Sequence, residues 1–385
     1  MASNFDLYVE RRHTDSDKWH KYENKEIIPL WVADSDFKSP DAVIEALQQR
    51  VAHGVFGYGY PSPELTEVFI SRMKSLYNWE VKPEWLVFLP GLVSGLNLCV
   101  RALTTPEQAT IAPHPIYPPF MKSARLANRQ QISAPIKLQG KRWVLDLDAA
   151  EPQLTGNEKL LMLCNPHNPG GTVYRRAELL AQLDFAQRHN LIVCSDEIHC
   201  DLLLDEGVEH IPFSSLSEDA AQRSITLMAP SKTFNIAGLG ASIAVIPNAA
   251  LRHRFTEARA GIVPSVDILA YVAATAAYKG GDEWLAEQLA YLRANHALVM
   301  EKINAIPGLK LMPVEATYLA WIDASGLPVS NPHAFFEEAG VGLSPGSDFG
   351  NPNFVRLNFA CRRELLSEAL ERMEKAVAAL PAEIE

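Results

Sequence analysis

Leu160-Leu161-Met162-Leu163-Cys164 is an apolar run that breaks at once into Asn165-Pro166-His167-Asn168-Pro169-Gly170-Gly171. The same break recurs along the chain. Leu191–Ser195 gives way to Asp196-Glu197-Ile198-His199, Thr226–Ala229 to Pro230-Ser231-Lys232-Thr233, and Leu86–Leu89 to Pro90-Gly91. Short continuous apolar runs alternating with longer amphipathic stretches mark strands buried on both faces of a parallel sheet covered by helices. Open α/β sheets bind ligands beyond the carboxyl ends of their strands, where these polar motifs fall. Each motif alone is an ordinary turn. Together they define one site.

Outward from these motifs, Thr110–Ala112 and Ala241–Ile246 are further expected strands, and helical patterns cover Gly95–Leu103, Tyr117–Ala127, Arg176–His189 and Asp267–Lys279. Near Gly280–Asp282 the pattern changes. A long helix, Asp282–Ile306, leads to a strand-like run Tyr318–Ile322, a loop rich in Gly, Pro and Ser over Gly342–Asn353, a strand Phe354–Asn358 and a last helix Arg363–Leu380. The first 45 residues carry no parallel-sheet pattern. The expectation is therefore an α/β fold with a large domain over 46–281 and a smaller α+β domain built from 1–45 and 282–385. A length of 385 residues fits two domains better than one.

With 48% hydrophobic and 21% charged residues, the composition is that of a soluble globular protein. A net charge of −11 with no Lys/Arg-rich stretch argues against nucleic acid and anionic membranes as partners. The N-terminal stretch Met1–Lys21 alternates charges and lacks the apolar core of a signal peptide, and the longest apolar stretch, Ile268–Tyr278, is too short to span a bilayer. Five cysteines without a CxxC pair suggest small buried hydrophobes in a reducing cytoplasm, with no metal site expected.

Several residues carry chemistry, and each has a plainer reading. Lys232 is either a surface lysine or a desolvated amine able to join an aldehyde cofactor as a Schiff base. Asp196 is either a helix cap or the partner of a protonated pyridine nitrogen. Asn168 sits in a turn more elaborate than a turn requires, where its amide can reach a cofactor's phenolate oxygen. His199 either faces that oxygen or is a satisfied core histidine. Tyr117 offers a face for stacking on a planar ring, with core packing as its rival. Pro90-Gly91-Leu92-Val93-Ser94 leads into a helix whose free N–H groups suit a phosphate, and Ser231 adds a hydroxyl. Arg356, inside the apolar strand Phe354–Asn358, needs an anion: a substrate α-carboxylate or a structural salt bridge.

This set of motifs, with Ala229-Pro230-Ser231-Lys232-Thr233-Phe234-Asn235-Ile236-Ala237-Gly238 and Phe354-Val355-Arg356-Leu357-Asn358-Phe359 included, resembles fold-type I enzymes of the class I/II aminotransferase superfamily, which depend on pyridoxal 5′-phosphate (PLP). Pro29–Phe37 and Gly54–Tyr58 are similar to the branch of MalY/PatB-type cystathionine β-lyases, and the likeness runs from about Ile28 to the C-terminus. It implies a large domain whose mostly parallel sheet is of the seven-stranded type, and a homodimer with shared active sites. By position it implies Lys232 as the cofactor's lysine and catalytic base, Asp196 at the ring nitrogen, Asn168 and His199 at the phenolate oxygen, and Tyr117 stacked on the ring. It further implies Leu92 and Val93 at the phosphate, and Tyr58 reaching the neighbouring subunit's cofactor. Arg356 would hold the substrate carboxylate, Asn168 would also contact the substrate, and Ala33 would line its pocket. Two positions depart from the pattern. Gly240 stands eight residues after the lysine, where many aminotransferases have a phosphate-binding arginine, and Ser35 replaces the Met of the branch motif.

The activity so implied is α,β-elimination on a small amino-acid substrate, L-cystathionine or a related cysteine S-conjugate, yielding thiol, pyruvate and ammonia. Tyr58 or Lys232 would protonate the leaving thiolate. An aminotransferase with the same cofactor site is the nearest rival. A non-catalytic PLP-binding regulator is the more distant one; no added DNA-binding domain is expected in this sequence, and Lys232, Asp196 and Arg356 are all intact.

Overall fold

The computed structural model describes residues 2–382. Its strands are β1 (Ile28–Leu30), β2 (Leu86–Leu89), β3 (Ala109–His114), β4 (Gln130–Gln139), β5 (Arg142–Leu145), β6 (Glu158–Cys164) and β7 (Ile192–Asp196). They continue with β8 (Ser224–Met228), β9 (Ser242–Val245), β10 (Lys310–Leu311), β11 (Leu319–Asp323), β12 (Val341–Pro345) and β13 (Phe354–Asn358). The larger sheet has the order β2-β9-β8-β7-β6-β3-β4-β5, and the smaller β1-β12-β13-β11-β10.

Pairs β8–β7, β7–β6, β6–β3 and β3–β4 are parallel, whereas β9 runs antiparallel to both β8 and β2. The sheet is thus mixed and eight-stranded, not seven. The extra strand, β5, returns antiparallel along β4. The hairpin β4–β5 escapes the apolar-run criterion because it lies at the sheet edge and is mostly exposed or half-buried, with Gln, Lys and Ser among its residues. By contrast every residue of β7 and β8 is buried, which is why those runs are legible as strands.

Helices cover the sheet by period. In the helix Leu92–Leu103, Leu92, Leu96, Cys99 and Leu103 recur every three or four residues and are all buried against the β-strands. Asp267 caps the helix Ile268–Gly280 by accepting from the N–H groups of Leu269 and Ala270. The stretch Gly342–Asn353 is a correction to the sequence reading. It is not all loop, because Val341–Pro345 is buried β12, paired parallel with β1 and antiparallel with β13, followed by a 3-10 turn at Gly346–Phe349. Tertiary pairing overrides its turn-rich composition. The N-terminal segment therefore joins the smaller sheet through β1. All five cysteines are buried and unpaired, and no helix among the described residues is long and apolar enough to cross a membrane.

Because β9 is antiparallel, its start meets the carboxyl ends of β2 and β8 at one edge. Gly240 lies there, and a Cβ on it would fall 2.1 Å from the Pro90 carbonyl oxygen. An arginine at 240 has no room without displacing the Pro90-Gly91 turn. Gly240→Ala should lower unfolding stability by about 1–3 kcal/mol, measured by chemical denaturation. Gly238→Ala, where an added Cβ meets nothing within 4 Å, should leave it near the parent value.

Candidate active site

The sheet edge gathers the expected residues. Asp196 ends β7, and Lys232 follows β8, the neighbouring strand whose Leu227 is in register with Asp196. Asn168 follows β6, and Tyr117 follows β3 at the start of the helix Pro118–Leu126, its N–H donating to the Asn168 carbonyl at 3.1 Å. Arg356 enters from the other sheet, on β13.

Asp196 is only 4% exposed, and its Oδ1 accepts one bond, 3.1 Å from the Ile198 N–H. No described cation lies within salt-bridge distance, and no helix follows it, so it is not a cap. Burial pushes its carboxyl up to about 7, with the Ile198 N–H and Lys232 pulling the other way and Glu197 adding to the rise. Lys232 is half-buried, and its Nζ donates to the Ala33 carbonyl at 2.5 Å. Burial, with a smaller push from Arg356, lowers its ammonium to about 8 against the opposing pull of Asp34 and Asp196.

Arg356 is also 4% exposed. It donates to Asn168 Oδ1 at 3.0 Å and to the Trp31 carbonyl at 2.9 Å, and its guanidinium lies 4.7 Å from the Phe349 ring centroid. Its Nε has no partner. No described carboxylate bridges it, which removes the structural salt bridge as its explanation; burial pulls its pKa down to about 10. The Nδ1 of buried His199 likewise lacks a partner, and burial with Lys232 and Arg356 lowers its pKa to about 3, so the ring is neutral. It is not a satisfied core histidine. The Tyr117 phenol is raised by burial first and then by the nearby Asp196 carboxylate.

The motif Pro29–Phe37, expected to line the pocket through Ala33, forms an arm over this site, and sequence reasoning missed how that arm is held. Trp31 to Ser35 present five consecutive carbonyls, each taken by a side chain: Trp31 by Arg356 and Ser344, Val32 by Asn358, and Ala33 by Lys232 and Tyr318. Asp34 is held by Asn358, and Ser35 by Asn235 and Arg11. Nothing in periodicity marks Tyr318, Asn358 or Asn235 as clamps; only the density of polar residues at strand ends hints at them. The Ser35 hydroxyl, which replaces the motif's Met, is buried without a partner.

Four expected residues stand apart from this core. Leu92 opens the helix Leu92–Leu103, whose cap Gly91 offers no side chain to its N–H groups, and Val93 beside it is half-exposed. Ser231 is half-buried, and Tyr58 is fully exposed on an irregular segment. What converges is an unpaired buried carboxylate, a deprotonatable amine, a neutral imidazole with an orphan nitrogen and an arginine with an open edge. A flat ligand with a cationic ring nitrogen and an anionic edge, together with a carboxylate, would satisfy all four.

The family model for class I and II aminotransferases matches residues 25–373. The chain is 36% identical to cystathionine β-lyase PatB of Bacillus subtilis (strain 168), across 97% of this chain and 100% of that protein. Among solved structures it is similar to that of OvoB (61% identity, TM-score 0.97, 98% and 100% coverage). It is also similar to cystalysin from Treponema denticola, which contains pyridoxal 5′-phosphate (32% identity, TM-score 0.94, 99% and 100% coverage). The chain belongs to the class I and II aminotransferase family.

Asp196 generates a prediction whose sign is fixed by linkage. Its native carboxyl, near 7, lies above the ordinary 3.8, so the cofactor-free chain loses stability as pH rises from about 4 to 7. Asp196→Asn should therefore make the cofactor-free protein more stable at pH 8 by about 1 kcal/mol or more. That gain should vanish near pH 4, as followed by thermal unfolding at the two pH values.

Proposed function

We propose that the chain is a PLP-dependent C–S β-lyase that cleaves L-cystathionine or a related L-cysteine S-conjugate to thiol, pyruvate and ammonia. The observation that carries this reading is that Lys232, Asp196 and Arg356 lie at one edge, the first half-buried and the other two buried, with none of them in a salt bridge to a described residue. When bound, PLP supplies the electron sink for charge left on the substrate's Cα.

The chain's own residues do the rest. Lys232 Nζ carries the cofactor at rest and, once freed, takes the Cα proton; burial keeps enough of it neutral near pH 8 to act as a base. The Asp196 carboxylate holds the proton on the ring nitrogen, an ion pair that relieves its own desolvation. Asn168 and neutral His199 serve the phenolate edge, and Tyr117 supports the ring's flat face. Leu92 and Val93 N–H groups, the Ser231 hydroxyl and Tyr58 from a second copy of this chain take the phosphate. Arg356 turns its open edge to the substrate carboxylate beside Ala33, which sets the Cα–H bond for removal. Lys232 or Tyr58 returns a proton to the departing thiolate.

Two features favour this over transamination. Gly240 has no room for the phosphate arginine of many aminotransferases, and a relative that matches 97% of the chain is named a cystathionine β-lyase. A homodimer is part of the proposal: Val55, Phe56, Tyr58 and Tyr60 are all exposed on one segment, a costly arrangement unless another surface covers it. So is the division into a domain over 46–281 and one from 1–45 with 282–385. Five buried, unpaired thiols accord with a cytoplasmic setting.

The test incubates the PLP-loaded protein with L-cystathionine or L-cysteine, with and without a keto acid. Pyruvate and free thiol (sulfide from cysteine) without any keto acid are expected, and Lys232→Ala should abolish both turnover and the yellow absorbance. Product formed only with a keto acid would replace the lyase by an aminotransferase. A loaded but inert protein would point to a regulator.

A further inference from the structure

The arm over residues 31–37 carries more charge than a lining segment needs. Arg11 Nη1 donates to Asp34 Oδ1 at 3.1 Å and to Asp36 Oδ1 at 2.7 Å, and its Nη2 reaches Asp34 Oδ2 at 3.2 Å. Lys18, with no side-chain exposure, lies 3.2 Å from Asp36 Oδ2 and 4.0 Å from Asp34 Oδ1. The Trp19 indole donates to Asp36 Oδ1 at 2.9 Å. Burial pushes the Asp36 carboxyl up, but Lys18, Trp19 and Arg11 outweigh it and hold it below the ordinary range. Two cations thus neutralise two carboxylates within a few residues of Ala33, whose carbonyl holds the Lys232 amine.

The division of labour in this quartet is uneven. Asp36 has three donors and is locked. Asp34, about a quarter exposed, has Arg11 as its near partner and Lys18 only at the edge of contact. Asp34 is also the residue next to the Ala33 carbonyl, which Lys232 Nζ and the Tyr318 hydroxyl share at 2.5 and 3.0 Å. We infer that Arg11 is a positioning residue for Lys232: by holding Asp34 it governs the charge felt by the amine resting on the adjoining Ala33 carbonyl.

This inference rests on the proposed role of Lys232. Five other groups bear on the amine: Asp34 from the arm, Asp196 and His199 from the end of β7, Arg356 from β13 and Tyr318 at the start of β11. His199 is neutral, Asp196 is unpaired and Arg356 is fixed by Asn168 and Trp31. Asp34 is the charge among them whose strength a second residue controls. Asp34 is the strongest charge favouring the ammonium even with Arg11 beside it; Arg11 tempers that field, and the amine loses its proton near pH 8. Without Arg11 the bare carboxylate favours the ammonium more strongly. Removing the carboxylate does the opposite.

The test follows PLP uptake by the cofactor-free full-length protein as a function of pH, read as the rate of growth of the yellow absorbance. In that step the neutral amine adds to the aldehyde carbon and one water leaves as the C=N bond forms, so the pH at half-maximal rate tracks the free amine. Arg11→Gln should raise that pH by about half a unit or more, and Asp34→Asn should lower it by a similar amount. Arg11→Lys, which keeps the charge, should stay near the parent. Thermal unfolding identifies any variant that fails to fold, and Asp34→Asn removes the charge while leaving the guanidinium in place. Shifts of opposite sign support the inference, since a loosened arm would move both variants the same way. Midpoints that do not move, or move together, overturn it. No uptake by the parent protein at any pH would instead overturn the PLP reading itself.

Discussion

A carboxylate buried without a counter-ion is the constraint around which this molecule is arranged. Asp196 ends a fully buried strand, and among the described residues no cation comes within salt-bridge distance of it, Lys232 acting only from further off. Such a group destabilises the chain that carries it unless a ligand supplies the missing charge. Arg356, with its open Nε edge, repeats the pattern with the opposite sign. The two do not neutralise each other, because they enter from different sheets: Asn168 and the Trp31 carbonyl hold Arg356, and Asp196 ends β7. Charge separation maintained by two rigid layers is the condition for binding a dipolar ligand between them.

The packing explains how that separation is sustained. The helix Leu92–Leu103 buries its apolar face under the sheet while its uncapped first turn faces the edge. The close approach of Gly240 to Pro90 locks the turn that precedes this helix. The arm at residues 31–35 then bridges the two sheets through five side-chain-bonded carbonyls, so Lys232, Arg356 and Asn358 are tied to a single backbone segment. Positions on strands and a clamped arm keep side chains to the small tolerances that proton transfer demands.

How far this was legible beforehand follows from burial. Strands β6, β7, β8 and β13 announced themselves because an interior strand can be apolar at nearly every position, and Lys232, Asp196, Asn168 and Arg356 stood out as polar breaks against that background. The edge hairpin β4–β5 had no such contrast, and β12 hid within a Gly- and Pro-bearing stretch because its order comes from partners far along the chain. The arm's role was invisible for the same reason: its bonds use backbone carbonyls, which every sequence has. His199 shows the limit from the other side. Its residue type admitted two roles, and only the unpartnered Nδ1 in a buried setting separated them.

The central claim is that Lys232 is the residue that joins the cofactor at this edge. Borohydride reduction of the PLP-loaded protein, followed by proteolysis and peptide mass spectrometry, tests it directly. The account predicts one pyridoxyl phosphate group per chain, on the peptide containing Lys232. Its appearance on another lysine, or on none, would contradict the account.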